Sequence, residues 1–383
     1  MTTMAVMGGV AVACSAAPDA SEFAGRTRTT HSATSDAGAP SFGDDQQLDV
    51  LSNGCATAEA TAERRPVYML MVLDGSGSMD LQQKWAATVP ALSEVFDSLA
   101  KTADPSFGLG LTVFSDDNDK TDGDGPYPNV DVPIRVVDAS QAALLKARIT
   151  STKPSSSTPT LKVLQGQYPA LETFAPAAPL PANGKRVLVL LTDGVPDDGA
   201  VEQKAVVKLA AEELKKTGAS GPVATFAVGI GNVQPLDATT YDPRFMGELA
   251  TAGGTANAAC TAGETSDISK MCHFQVVPNG KTAAQIRQEL IDALNRIRGA
   301  ALSCDYALEK SASGAVDPSK VNVSFTDASG KETVIPQSAA DGWSYDNATA
   351  PTRVIVNGAK CDQLKGDTKG RVKIILGCKT VVK

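Results

Sequence analysis

The chain has 383 residues, 35 Lys and Arg against 43 Asp and Glu, a formal net charge of −8, and two histidines, His31 and His273. That length accommodates two domains, or one large domain with an appendage. A negative balance with no basic cluster argues against nucleic acid as the partner, and two histidines leave little room for a His-based zinc site or a Ser-His-Asp triad.

Residues 5–13 (AVMGGVAVA) form an apolar run that ends in small residues at Cys14. The run is too short to span a membrane as a helix and reads as the core of a signal peptide. Ala11-Val12-Ala13-Cys14 resembles the lipobox of bacterial lipoproteins, which implies lipidation of Cys14 and an exported, envelope-anchored chain; ordinary secretion with cleavage near Ala17 is the alternative. Seven cysteines are odd for an exported protein. Setting Cys14 aside as a lipid carrier leaves an even set, Cys55, Cys260, Cys272, Cys304, Cys361 and Cys378, able to form disulfides outside the cytoplasm. Residues 15–54, rich in Ser, Ala, Thr, Gly and Asp, read as a disordered tether.

Val67–Leu73 is an unbroken apolar run, the pattern of a strand buried on both faces. It stops at Asp74-Gly75-Ser76-Gly77-Ser78. Trp85, Val89, Leu92, Phe96 and Leu99 follow at spacings of four and three, one buried helix face. Residues 108–114 predict a second strand. Residues 130–137 alternate, and Pro133 makes them an edge strand. The acidic stretch 115–125 between them reads as a solvated loop, with a second cation site as the alternative.

A helix is predicted over 139–150. The next places Thr158 at its N-cap and Pro159 at its first position, buries Leu161, Leu164, Tyr168 and Leu171, and is kinked or ended by Pro169. Residues 186–195 (RVLVLLTDGV) repeat the opening pattern, an apolar strand that stops at Asp193-Gly194. A helix at 201–217 with Val207, Ala210 and Leu214 on one face, a strand at 222–230, a short helix at 243–252 and a strand at 273–277 follow. The final helix has Thr282 and Gln285 as a capping box and a stripe of Ile286, Leu290, Leu294 and Ile297. This alternation is that of an α/β fold with a mostly parallel sheet. From 304 onward, short β-type runs separated by Gly and Asp turns predict a small β domain.

In open α/β sheets ligands bind beyond the carboxyl ends of the strands. If the strands ending at Asp74 and Asp193 are central neighbours, both acids face one crevice, and Thr158 can reach the same edge. Asp74, Ser76, Ser78, Thr158 and Asp193 are then the candidate ligands of one divalent cation. Two carboxylates and three hydroxyls are hard donors suited to Mg2+ or Mn2+, with Ca2+ also possible, and poor for zinc.

Asp-x-Ser-x-Ser, a distal Thr in Thr-Pro-Thr, and Thr-Asp-Gly after a buried strand together resemble the von Willebrand factor type A domain and its metal-ion-dependent adhesion site, over about residues 64–303. The resemblance implies a doubly wound, mostly parallel six-stranded sheet with helices on both faces and one antiparallel edge strand. It implies a bound cation that accepts an acidic side chain from a partner protein. The expected organisation is a signal peptide at 1–14, a tether at 15–54, the von Willebrand factor type A domain at 55–303 and a disulfide-stabilised β domain at 304–383. In that fold Cys55 and Cys304 lie on the face away from the metal, so the expected pairs are Cys55–Cys304, Cys260–Cys272 and Cys361–Cys378, with Cys304–Cys378 as the rival. The functional expectation is a non-catalytic, metal-dependent protein-binding module in a bacterial envelope. A structural envelope lipoprotein whose metal only stabilises the fold, or a metal-dependent hydrolase, are the alternatives. No Gly-x-Ser-x-Gly elbow, His-Glu-x-x-His or P-loop occurs, and His273 reads as an ordinary strand residue.

Overall fold

The computed structural model describes residues 50, 56, 58–62, 65–115, 127–217, 221–233, 241–257, 259–302, 304–308, 316–366 and 370–383. At its centre lies β2 (Val67–Asp74), every residue of which is buried. It is flanked on both sides by parallel partners, β3 (Phe107–Phe114) and β5 (Lys185–Thr192). A strand walled in by two neighbours and covered on both faces has no solvent side, which is why its sequence shows no alternation.

Outward from β5 come β6 (Val223–Ile230) and β7 (Phe274–Val276), both parallel. Outward from β3 comes β4 (Val132–Val136), the antiparallel edge strand. The sheet order is β4-β3-β2-β5-β6-β7. Pro133 is exposed on β4, where its missing N–H costs no ladder bond.

Odd-numbered β2 residues Val67, Met69, Met71 and Leu73 pack into one core with α1 (Lys84–Thr102), α2 (Ala139–Ser151) and α6 (Ala283–Ala301). Even-numbered Tyr68, Leu70 and Val72 pack into the other with α3 (Thr160–Glu172), α4 (Ala200–Lys215) and α5 (Pro243–Ala252). Two residues per strand repeat thus feed two separate cores. Truncating a side chain such as Leu70, 0% exposed, to alanine costs about 2–5 kcal/mol. The expected capping box of Thr282 and Gln285 is formed at the start of α6.

The β domain holds two sheets. One runs β1-β13-β9-β10, from β1 (Ala58–Ala62), β9 (Val321–Thr326), β10 (Glu332–Ile335) and β13 (Arg371–Leu376). The other runs β11-β12-β8, from β8 (Asp305–Ala307), β11 (Trp343–Tyr345) and β12 (Arg353–Val356). Tyr306, Val323, Phe325, Trp343, Val354 and Ile374 lie in the core between them.

Several expectations are corrected. The region after 304 also contains a helix, α7 (Gly358–Gly366); among its described side chains only Leu364 is buried, so it shows no apolar stripe. Residues 58–62, assigned to the α/β domain, form β1 and pair antiparallel with β13 of the β domain. Val50, assigned to the tether, is 2% exposed and packs against Val334, Ile375, Cys378 and Val381. Helix α3 starts at Thr160 with Pro159 as the preceding cap residue, so Thr158 is not its N-cap, and the helix runs past Pro169 to Glu172. The buried face of α4 is Glu202, Val206, Ala210 and Glu213, turned by one residue from the predicted stripe.

The disulfide pairing also differs. Cys260 is bonded to Cys272, but Cys304 is bonded to Cys361. That bond replaces the expected Cys55–Cys304 and Cys361–Cys378 pairs, and the rival Cys304–Cys378. The reason is local: Cys304 precedes β8, β8 pairs with β12, and β12 leads directly into α7, which carries Cys361. Cys378 is itself disulfide-bonded. Cys14, Cys55, and the signal-peptide and tether segments apart from Val50 lie outside the described residues, as does the acidic loop from 116 to 126.

Candidate metal centre

Asp74 is the last residue of β2, and Asp193 follows the last residue of β5. The two strands are parallel neighbours, so both acids emerge at the same sheet edge, and both are essentially buried, 0% and 1% exposed.

The loop after Asp74 is held on two sides. Gly75 N–H donates to the Phe114 carbonyl at 2.8 Å, and the Gly75 carbonyl accepts from Ser155 N–H at 3.0 Å. Gly77 N–H donates to the Ser156 carbonyl at 3.1 Å. A methyl group on Gly75 would lie 3.0 Å from Val113 Cγ1 and 3.3 Å from the Phe114 carbonyl oxygen, so the close approach of this loop to β3 suits glycine.

Within the loop, Ser76 N–H donates to Asp74 Oδ1 at 2.8 Å, the self-bonding turn that Asp favours. The hydroxyls of Ser76 and Ser78 are 3.0 Å apart, and Ser78 Oγ donates to Asp193 Oδ1 at 2.8 Å. Thr158 N–H donates to Asp197 Oδ1 at 2.6 Å, and Asp197 N–H donates back to the Thr158 carbonyl at 3.3 Å. This pair locks the segment before α3 to the loop after β5. A Cβ on Gly194 would lie 3.2 Å from Thr158 Oγ1 and 3.7 Å from Asp74 Oδ2, so these two oxygens border one small space. The five candidate side chains are therefore brought together around the ends of β2 and β5.

Two further residues belong to the site and carried no motif signal. Thr192, fully buried, donates from Oγ1 to Asp74 Oδ2 at 2.5 Å and accepts from Gly194 N–H at 3.1 Å. Lys84 Nζ forms an ion pair with Asp193 Oδ2, the two side chains being 8% and 0% exposed. Lys84 reaches the site because the chain makes a 3-10 turn over Gly77–Gln83 before α1 begins. Gln82 and Gln83 have φ of 53° and 59°, a left-handed conformation uncommon outside glycine.

Burial raises the pKa of Asp74, and the charge of Asp193 raises it further. Burial likewise raises Asp193, opposed by the Lys84 ammonium. Two carboxylates desolvated side by side are a strong demand for positive charge. Among the described residues no group of three or more His, Cys, Asp or Glu side chains is placed to hold a metal, so the site depends on hydroxyls for its remaining ligands. Hard neutral and anionic oxygens in that ratio fit a hard divalent ion. Asp74, Ser76, Ser78, Thr158 and Asp193 are the side chains that would hold it.

His273 is buried and hydrogen-bonded to Gln275 at 2.8 Å and Tyr241 at 3.1 Å. Burial pushes its imidazole down to about 4, so it is a neutral member of a structural network. No helix among the described residues is long and apolar enough to cross a membrane.

Residues 69–258 match the family profile described as von Willebrand factor type A domain. A search of curated proteins found no match. Among solved structures, a von Willebrand factor type A protein from Catenulispora acidiphila is similar at 13% identity and a TM-score of 0.41, over 86% of this chain and 62% of that one. The pilus adhesin SpaC from Lactobacillus rhamnosus GG is similar at 15% identity and a TM-score of 0.43, over 83% of this chain and 39% of that one. Proximal thread matrix protein 1 from the mussel byssus, solved with a zinc-occupied MIDAS motif, is similar at 17% identity and a TM-score of 0.36, over 66% and 51% of the two chains. The chain thus spans under two thirds of the length of each of these proteins. The doubly wound sheet and its antiparallel edge strand agree with that profile match, so this region has the von Willebrand factor type A fold.

Proposed function

We propose that this protein is a non-catalytic binding module whose recognition depends on one divalent cation, Mg2+ or Mn2+, held by Asp74, Ser76, Ser78, Thr158 and Asp193. The observation that carries this reading is the meeting of two buried carboxylates with three hydroxyls at one sheet edge. Buried Asp74 and Asp193 would hold the ion, while Ser78 is half-buried and would be the more accessible of its ligands. Hydroxyl ligands are neutral, so they leave much of the ion's charge to attract a carboxylate offered by a partner protein.

The module is displayed outside the cytoplasm, in a bacterial envelope, with Cys14 as its lipid anchor. The disulfides Cys260–Cys272 and Cys304–Cys361 support an oxidising location.

The test is capture of partners from envelope and medium fractions with Mg2+ and with EDTA, beside calorimetric titration of Mg2+ and Mn2+. One bound ion and EDTA-sensitive capture are expected, both lost in Asp74→Ala with the circular dichroism spectrum retained. Capture that survives in folded Asp74→Ala protein refutes the reading. Metal binding that raises the melting temperature without any metal-dependent capture would instead favour a purely structural ion.

A further inference from the structure

The two acids of the site are accompanied by a cation that belongs to the chain itself. Lys84 Nζ is paired with Asp193 Oδ2, and both side chains are shielded from water, at 8% and 0% exposure. The position is built by the backbone. Gly77–Gln83 forms a 3-10 turn, Gln82 and Gln83 are left-handed, and Asn232 Nδ2 donates to Gln82 Oε1 at 3.2 Å. The turn delivers Lys84 as the first residue of α1, and Thr88 Oγ1 donates to the Lys84 carbonyl at 2.8 Å.

We propose that Lys84 determines which cations the site accepts: it is a tethered monovalent counter-ion to Asp193 that discriminates against monovalent ions and sets a threshold for divalent ones. The inference rests on the metal-site reading above. With Asp74 and Asp193 ionised, Lys84 brings the local charge from −2 to −1. A sodium ion that takes Asp193 from Lys84 exchanges one unit charge for another and leaves a buried ammonium without its partner, which is unfavourable. A divalent ion at the same distance doubles the attraction to each carboxylate, so it alone gains from the exchange. Lys84 has a long flexible stem, and its ammonium can withdraw or share Asp193 once a stronger cation arrives. Without Lys84 the site holds its full negative charge, binds divalent ions more tightly, and becomes open to sodium.

The test counts bound Mn2+ on the full chain by electron paramagnetic resonance of the free ion, in choline chloride and in sodium chloride at equal ionic strength. Wild-type protein is expected to bind one ion with the same affinity in both salts. Lys84→Met is expected to bind about ten-fold or more tightly in choline chloride, by the charge argument, and to lose much of that gain in sodium chloride. Lys84→Arg, which keeps the charge, is expected to stay close to wild type. Equal affinity of wild type and folded Lys84→Met in choline chloride overturns the proposal. So does a wild-type affinity that falls in sodium as steeply as that of the variant. If Lys84→Met does not fold, Lys84→Gln, which can still donate to Asp193 but carries no charge, carries the same two predictions. Wild-type binding that persists unchanged in Ser76→Ala/Ser78→Ala places the ion elsewhere, which overturns the metal-site reading and the Lys84 proposal with it.

Discussion

Thr192→Val isolates one hydrogen-bonding group at the floor of the site with little change of shape. Thr192 is fully buried, so its hydroxyl has no solvent to turn to. That hydroxyl donates to Asp74 Oδ2 and accepts from Gly194 N–H. Removing a hydrogen bond to an ionised acceptor costs about 1.5–3 kcal/mol, and leaving the Gly194 donor unpaired costs about 1–3 kcal/mol more. The methyl that replaces the hydroxyl returns less than about 1 kcal/mol by burial. The net expectation is a loss of about 3 kcal/mol, measured by urea unfolding in EDTA at constant m-value. Thr192→Ser, which keeps the hydroxyl and loses one methyl, should lose about 1 kcal/mol. A Thr192→Val loss no larger than that of Thr192→Ser would mean that the hydroxyl does not support Asp74, and the description of the site's floor would be wrong.

Other predictions concern the frame around the site. The Cys304–Cys361 disulfide closes a separation of 57 residues, so Cys304→Ala/Cys361→Ala should lose about 4 kcal/mol by the loop-entropy relation, read as a lowered urea midpoint. Unchanged stability would place that constraint in doubt. Glu172 and Glu213 meet at the ends of α3 and α4, with Lys216 Nζ 2.6 Å and 2.7 Å from them. Burial and then the Glu172 hydrogen bond push Glu213 up to about 7. For Glu172 burial pulls upward, but its bonds to Glu213 and Lys216 prevail and its pKa falls. A raised folded-state carboxyl contributes stability that is full below its unfolded value, near 4.5, and is lost as pH rises through about 7. Melting temperature should therefore fall from pH 5 to pH 7 in wild type, and Glu213→Gln should reduce that slope; a slope unchanged in the variant assigns it to another group.

The central sheet was legible in the sequence because its strands are buried on both faces and its helices carry regular stripes, as in Ile286, Leu290, Leu294 and Ile297 of α6. The five candidate donors were legible because each stands at a strand end or in a short motif, and strand ends on one edge of a parallel sheet must converge. Lys84 was not, because nothing in Asp80-Leu81-Gln82-Gln83-Lys84 announces two left-handed residues that turn a lysine inward. Strand β1 was not, because Ala58–Ala62 reads AEATA, three alanines and a glutamate with Thr61 as the one β-branched side chain and no aromatic. The Cys304–Cys361 bond was hidden for another reason: it depends on which strands of the β domain are neighbours, and six cysteines leave 15 pairings open.

The pairing of β1 with β13 has a mechanical consequence. The connection from Ala62 to Val67 is short, and β2 then runs straight to Asp74 at the floor of the site. A pull applied on the amino-terminal side of β1 and resisted by a partner gripped at Asp74–Ser78 travels along the length of β2. The covalent backbone of β2 carries it, while the ladders to β3 and β5 hold that strand in place without lying between the two points of load. Under the proposed function, the residues that would grip a partner and the strand that would bear the load are one continuous piece of chain, so such a load would bypass α7 and the rest of the β domain beyond β1 and its neighbour.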